Sequence, residues 1–241
     1  MKRLIADLHT HTIASGHAYG TIREMAQAAA EKGLKLLGLS EHAPGIPGTA
    51  HPFYYTNLRV IPRELYGVEI LHGSEINVLP GGELSLEQRY IDRLDYAIVG
   101  IHTPCYQDGG RESNTRDLIR CMENPKVRFV SHPDDSRFPL DYPLLAQAAR
   151  ELGTALEVNN TSLARNIRQG CRENYREMLA ECQRYGVPIL VNSDAHDPSC
   201  VGEFTEALAL LDELNFDETL ILNNDLPRLK SFLSETREKA E

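Results

Sequence analysis

Near the start of the chain stands Asp7-Leu8-His9-Thr10-His11. On extended backbone, positions i, i+2 and i+4 point to one side. Two imidazoles so placed can chelate one metal ion, and Asp7 can accept an imidazole N–H and fix the tautomer of a ligand. Ser193-Asp194-Ala195-His196 repeats the spacing with a carboxylate and an imidazole. Single histidines stand in Ser40-Glu41-His42, Gly100-Ile101-His102 and Ser131-His132-Pro133, and a carboxylate in Gly73-Ser74-Glu75. Each taken alone is more often chance or a satisfied polar residue. The joint pattern is hard to explain by packing, because burying so many imidazoles is costly without metals or an extensive hydrogen-bond network. A solvated histidine patch is the bland alternative, and it does not predict paired i, i+2 spacings.

These residues need elements to hold them. Short apolar runs lie at 4–6, 36–39, 69–73, 96–101, 127–130, 155–158 and 188–191, each short enough for a buried parallel strand. Helix-like stretches separate most of them. In the first, Thr21 caps, Glu24 completes a capping box and Gly33 stops the helix. Others fall at 115–123, 144–152, 172–185 and 202–214, and a last one, 227–239, is expected to pack outside the barrel or fray. The region 43–64, with Pro44, Pro47, Pro52 and Pro62, is the longest irregular segment and reads as a functional loop. Alternating strands and helices argue for an α/β fold with parallel strands and right-handed crossovers. His9, His11, His17, His42, His102, His132 and His196 follow the C-terminal ends of predicted strands, as do Glu75 and Asp194. In a TIM-like barrel those ends converge on one face, whereas an open sheet strings them along an edge. A barrel is therefore favoured, with seven strands and no clear eighth.

Composition excludes other classes. The chain has 241 residues, 35 Asp+Glu against 25 Lys+Arg, and a net charge of −10. That balance argues against non-specific binding to nucleic acid or an anionic membrane. No apolar run is long enough to span a bilayer. The opening MKRLIA looks briefly like a leader, but Asp7, His9 and His11 interrupt it. Cys105, Cys121, Cys171, Cys182 and Cys200 are odd in number and form no C-x-x-C, which predicts free thiols in a reducing compartment, the cytoplasm. Without a repeat or linker, 1–241 reads as one domain.

DLHTH at 7–11, SGHAYGT at 15–21, SEH at 40–42, GSEIN at 73–77, GIH at 100–102, SHP at 131–133, EVNN at 157–160 and SDAH at 193–196 run in order along most of the chain. With them the sequence resembles the PHP (polymerase and histidinol phosphatase) superfamily, in its small stand-alone phosphatase branch. The resemblance implies a distorted (β/α)7 barrel with up to three divalent metal ions at the C-terminal ends of the strands. It assigns His9, His11, Glu75 and Asp194 to a first ion, His102 and His132 to a second with Glu75 bridging, and His17, His42 and His196 to a third. Nine ligands with one bridge give three to four bonds per ion, leaving open positions. The imidazole-rich set suits zinc, with manganese or iron as alternatives. Glu41 stands where the family pattern has Asp, and reads as an outer group because strand neighbours alternate faces.

Clustered metals suit hydrolysis of phosphate esters. The expected activity is a metal-dependent phosphomonoesterase acting on a small-molecule phosphate ester by attack of a metal-bound hydroxide, with Glu75, Asp194 and His196 at the reacting centre. Arg59 and Arg168 are the expected phosphate-binding residues, with Arg63 and Arg165 as further candidates. His72 reads as structural; His51 lies in the loop facing the proposed site. A histidinol-phosphate phosphatase is a narrower variant. An amidohydrolase-like enzyme also begins with H-x-H, but wants a carbamylated lysine where this chain has His102. A non-catalytic metal-binding or polymerase-associated module would lack ligands that are all present here. The resemblance is compatible with a homo-oligomer.

Overall fold

A computed structural model of the protein describes residues 3–165 and 167–235. Its strands are β1 (Ala6–Thr10), β2 (Leu36–His42), β3 (Glu64–Leu65), β4 (Val68–Leu79), β5 (Glu83–Leu84), β6 (Ala97–Gly100), β7 (Val127–Val130), β8 (Ala155–Asn159) and β9 (Ile189–Asn192). β3 and β5 are two-residue antiparallel additions to β4. The other seven pair in parallel in the order β1-β2-β4-β6-β7-β8-β9. They form a nearly closed barrel, as expected from the sequence.

The helices are α1 (Ile22–Glu31), α2 (Gln88–Ile91), α3 (Arg111–Met122), α4 (Tyr142–Leu152), α5 (Asn160–Arg165), α6 (Cys171–Tyr185), α7 (Thr205–Glu213) and α8 (Leu226–Ser234). The capping box of α1 is formed, Thr21 and Glu24 each satisfying the other's backbone N–H. Within 43–64, Pro52–Val60 is wound into 3₁₀ turns with Tyr55 and Leu58 buried. α8 packs against the barrel: its Leu229, with Leu222 from the turn ahead of the helix, joins the interior apolar cluster, and Leu226, Phe232 and Leu233 pack against that cluster. A stripe spaced i, i+3, i+6, i+7 buries that face. Residues 236–239 of the expected helix lie outside the described residues. No helix of the described residues is long and apolar enough to cross a membrane.

Inside the barrel, Ala6, Leu8, Leu36, Tyr96, Ile98, Phe129, Ala155 and Leu190 form an apolar plug. Tyr96 reaches across it to donate to Leu8 O at 2.6 Å. Gly38 and Gly73 make room: a Cβ on Gly38 would lie 2.0 Å from the Tyr96 hydroxyl, and one on Gly73 2.6 Å from its ring. Above the plug the interior turns polar, and the site begins there.

The barrel closes through side chains as well as backbone. His11 N donates to Ala195 O at 2.8 Å, bridging the upper ends of β1 and β9. Lower down, Asn223 fills the seam. Its Nδ2 donates to Ala6 O (3.0 Å) and Val191 O (2.5 Å), and its Oδ1 accepts from Val191 N (3.2 Å).

Candidate metal centre

The register between β1 and β2 shifts between Asp7 and Thr10, so three steps on β1 match two on β2. Such a bulge inserts one residue and re-aims those beyond it. Leu8 therefore stays in the apolar plug while His9 and His11 both face Glu75, at 3.3 Å and 3.6 Å. Asp7 is left on a different side from the one the sequence suggested. Its carboxylate accepts from Ser193 Oγ (2.5 Å), Ser193 N (3.2 Å) and Gly202 N (2.9 Å), not from an imidazole. Burial pushes its pKa up to about 6.

Glu75 stands at the centre. It lies in β4, registered beside His42 on β2, and registered neighbours on parallel strands face the same way. Its Oε2 is 2.9 Å from His42 Nδ1, and its Oε1 is 2.7 Å from His132 Nε2 and 3.3 Å from His102 Nε2. Ser131 Oγ donates to Oε1 at 2.6 Å. Burial alone would raise the pKa of this carboxyl; the surrounding imidazoles, His9 foremost, outweigh that and hold it well below the ordinary range. Asp194 is placed alike, with Oδ1 3.2 Å from His11 Nε2 and 3.5 Å from both His9 Nε2 and His196 Nδ1. It too is buried, yet held well below the ordinary range, by His9 and His11 in particular. His196 Nε2 is 3.2 Å from His17 Nε2 at the exposed side. All nine candidate ligands are thus brought to one end of the barrel.

The buried atoms of the cluster fit a metal. His9 Nε2, His11 Nε2, His42 Nδ1, both ring nitrogens of His102, Glu75 Oε2 and Asp194 Oδ1 are all shielded from water and lack a hydrogen-bond partner. So many orphaned polar atoms facing one another would be costly unless an ion engaged them. Among the described residues, three groups have ligand atoms within 4.8 Å of one another: His9–His11–Asp194, His11–His42–His196 and His42–Glu75–His102. These groups cut across the expected three-way division, with His11 and His42 each in two of them. His132 and Asp194 both have positive φ, 32° and 54°. Non-glycine residues rarely adopt this conformation, and strained positions of this kind gather at functional sites.

The supporting layer contains a residue that the sequence reading did not single out. Glu157, buried on β8, lies 2.8 Å from His9 Nδ1 through Oε1, which also accepts from Asn192 Nδ2 (2.9 Å). Its Oε2 accepts from His132 N (2.8 Å) and Asn159 Nδ2 (3.1 Å). The imidazole-fixing role first given to Asp7 belongs to Glu157. The signal was a lone carboxylate inside the apolar run 155–158. Glu41 points away from the cluster and accepts from Thr12 Oγ1 (2.6 Å) and Ser15 Oγ (2.6 Å), and Ser15 Oγ in turn lies 3.2 Å from His11 Nδ1.

A cavity of about 400 Å³ opens over the cluster, with His17, His42, His102, His132 and His196 on one side. Tyr19, Thr161, Arg165, Ile167, Arg168 and Cys200 form the rest of its wall. Arg168 donates to Ser162 Oγ at 2.5 Å and lies 3.6 Å from Asp194 Oδ2. Arg59 is not part of this wall. It sits exposed at the end of the 3₁₀ segment, because its neighbour Leu58 takes the inward position. Arg63 is exposed and paired with Asp95. His51 is exposed, its Nδ1 accepting from Phe53 N at 3.1 Å. His72 is buried outside the cluster.

Comparison with known proteins agrees with this geometry. The family model described as PHP domain matches residues 7–213. A probable phosphatase of Thermoanaerobacter sp. (strain X514) is 39% identical over 239 residues, covering 98% of this chain and 97% of its own. A probable phosphatase of Acetivibrio thermocellus is 36% identical over 238 residues, covering 98% of both. Among solved structures, histidinol phosphate phosphatase from Lactococcus lactis, complexed with zinc, L-histidinol and phosphate, is similar in fold. Its TM-score is 0.61 at 17% identity, over 88% of this chain and 94% of that one.

Proposed function

The chain belongs to the PHP domain family, and from that premise we propose that it is a metal-dependent phosphatase of small-molecule phosphomonoesters. One observation carries the reading: buried, unpartnered imidazole and carboxylate atoms gather at the base of a cavity whose wall holds Arg168.

In this reading the nine residues His9, His11, His17, His42, Glu75, His102, His132, Asp194 and His196 hold three divalent ions, zinc fitting the imidazole-rich set, with manganese or iron as alternatives. When bound, such ions supply positive charge against the phosphoryl oxygens and acidify water. Glu75, within reach of five imidazoles, is the shared carboxylate of the set. Asp194 and His196 complete the reacting centre beside the cavity. Arg168 takes phosphoryl oxygens through its forked donors, and its link to Ser162 keeps the guanidinium at the wall.

Direct attack by water, with no phosphoenzyme, is supported by the state of the nearby hydroxyls. Ser131 Oγ is committed to Glu75 and Ser193 Oγ to Asp7, so neither is offered to a substrate. The five cysteines are free thiols, which suits the cytoplasm, and 1–241 is read as one domain.

The test is release of inorganic phosphate from a panel of phosphomonoesters and diesters by protein stripped of metal and refilled with zinc or manganese. Metal-dependent release that Glu75→Gln abolishes supports the reading. No release from any ester, with metal bound at more than one site, overturns it in favour of an amidohydrolase-like or binding protein.

A further inference from the structure

The cavity wall away from the imidazoles carries an uneven charge. Two guanidiniums, Arg165 and Arg168, face a space whose one acidic lining residue is Asp194. Asp194 is already engaged with His9, His11 and His196. Apart from Asp194, no carboxylate lines the cavity to pair with an ammonium group. Arg168 is tied to Ser162 and stands near Asp194, at the deep end. Arg165 is different. It ends α5 in an exposed position, and its Nη2 faces the Cys200 thiol at 3.5 Å. Among the described residues no carboxylate pairs with it, although the chain has 35 of them.

The remaining wall is apolar at the mouth. Tyr19 is 77% exposed and Ile167 52% exposed. Both are large hydrophobics left in water at the rim of a pocket, where they mark a contact surface. Tyr19 is not loosely placed, since its N–H donates to His196 O at 2.8 Å. At about 400 Å³ the cavity lies in the range for small-molecule sites and has room beyond a phosphoryl group.

We propose that the substrate is a phosphomonoester whose leaving alcohol carries a second anionic group, a carboxylate or a further phosphate, on a short apolar body. Arg168 takes the reacting phosphoryl group, Tyr19 and Ile167 contact the body, and Arg165 binds the second anion. The inference rests on the phosphatase reading and narrows it to a substrate class. The reaction is hydrolysis: water forms a new O–P bond, the ester P–O bond breaks, and the leaving oxygen gains a proton. The products are inorganic phosphate and an alcohol that keeps its anion.

The experiment compares kcat/KM for phosphomonoesters on one short apolar body that ends in a hydroxyl, a carboxylate, a second phosphate or an ammonium group. The metal-loaded wild-type protein should cleave the anion-ended esters about tenfold faster than the hydroxyl-ended one, and the ammonium-ended ester slowest. The carboxylate and phosphate arms show which anion is preferred. In Arg165→Gln the ratio of anion-ended to hydroxyl-ended ester should fall toward one, and in Arg165→Lys part of it should remain. Because Arg165 is exposed, neither change threatens the fold. Equal cleavage of hydroxyl- and anion-ended esters by wild type, or a ratio that survives Arg165→Gln, overturns the inference and leaves the phosphatase reading standing. Release from none of the series overturns both.

Discussion

Glu157 Oε1 lies 2.8 Å from His9 Nδ1, and neither side chain touches water. A carboxylate only accepts, so the proton is on Nδ1 and Nε2 is left with its lone pair toward Glu75 and Asp194. Burial would lower the pKa of His9. Glu157, with Glu75 and Asp194, outweighs burial and holds the ring well above its ordinary value. Without an ion the ring can therefore carry a second proton, on Nε2; with one, Nε2 is unprotonated and Glu157 aims its lone pair.

Replacing this support should cost affinity. In Glu157→Gln, one acceptor oxygen becomes an amide donor among four existing donors. We expect metal affinity to fall by about 10–100-fold, as for other lost partners of metal-bound histidines. Competition against a chromophoric chelator reads this directly, with circular dichroism to establish that the fold remains. Unchanged affinity would show that the contact is not an orienting one.

Glu75 and His132 should differ in kind. Glu75→Gln removes the negative charge that five imidazoles share, so more than one ion per chain should be lost and phosphate release should fall by orders of magnitude. His132→Ala removes one ring, and the loss should be confined to one ion, with a smaller drop in turnover. Elemental analysis of the purified variants gives the stoichiometries. Equal occupancy in both would contradict the central place of Glu75.

Metal removal should weaken the whole barrel. The orphaned atoms come from β1, β2, β4 and the segments after β6 and β9, so an ion ties together strands distant in sequence. A ligand bound only by the folded state at a hundred times its Kd adds about 2.7 kcal/mol. For a chain of this size that is about 5–10 °C in thermal midpoint. Scanning calorimetry of chelated and zinc-refilled protein measures the shift. Coincident midpoints would mean that the cluster does not hold an ion in the folded state.

Much of this was legible in the residues because burial and chemistry leave different marks. Val127–Val130 is legible to its ends because Val127, Phe129 and Val130 are apolar, as a buried parallel strand needs, and the one charged residue among them, Arg128, donates through its guanidinium to the Phe232 and Glu235 carbonyls. β4 is legible only as 69–73, and continues to Leu79 because Ser74, Glu75 and Asn77 are polar yet buried, Glu75 toward the barrel interior and Ser74 on the opposite face against Tyr55. The same cause shifted β1 from 4–6 to Ala6–Thr10: the site residues are themselves strand. The side on which Asp7 lies was not legible, because a bulge is a relation between two strands and alternation assumes none. Arg59 is an arginine in the functional loop and so a candidate for phosphate, but its exposure is decided by Tyr55 and Leu58 packing beneath it.

The seam between β1 and β9 supports a last prediction. Two strands that do not pair fully leave buried backbone groups to be satisfied otherwise. Here a 3₁₀ turn, Leu222–Asn224, enters the gap, and the Asn223 amide engages Ala6 O and both backbone groups of Val191. Asn is suited because its amide offers donors and an acceptor together. Asn223→Ala would orphan the Val191 N–H and two carbonyls in a buried position, at a cost of about 2–4 kcal/mol. Asn223→Asp keeps the acceptor but sets a carboxylate against two carbonyls, so it should be the worse of the two. Urea unfolding, compared at unchanged m, measures both. The seam contacts lie below the site, at Ala6 and Val191, while His11 and Ala195 are joined separately above. The folded fraction of either variant should therefore bind metal in wild-type stoichiometry. An Asn223→Asp protein as stable as wild type would mean that the two donated bonds do not hold the seam, and that the apolar neighbours Ile221 and Leu222, both buried, close it instead.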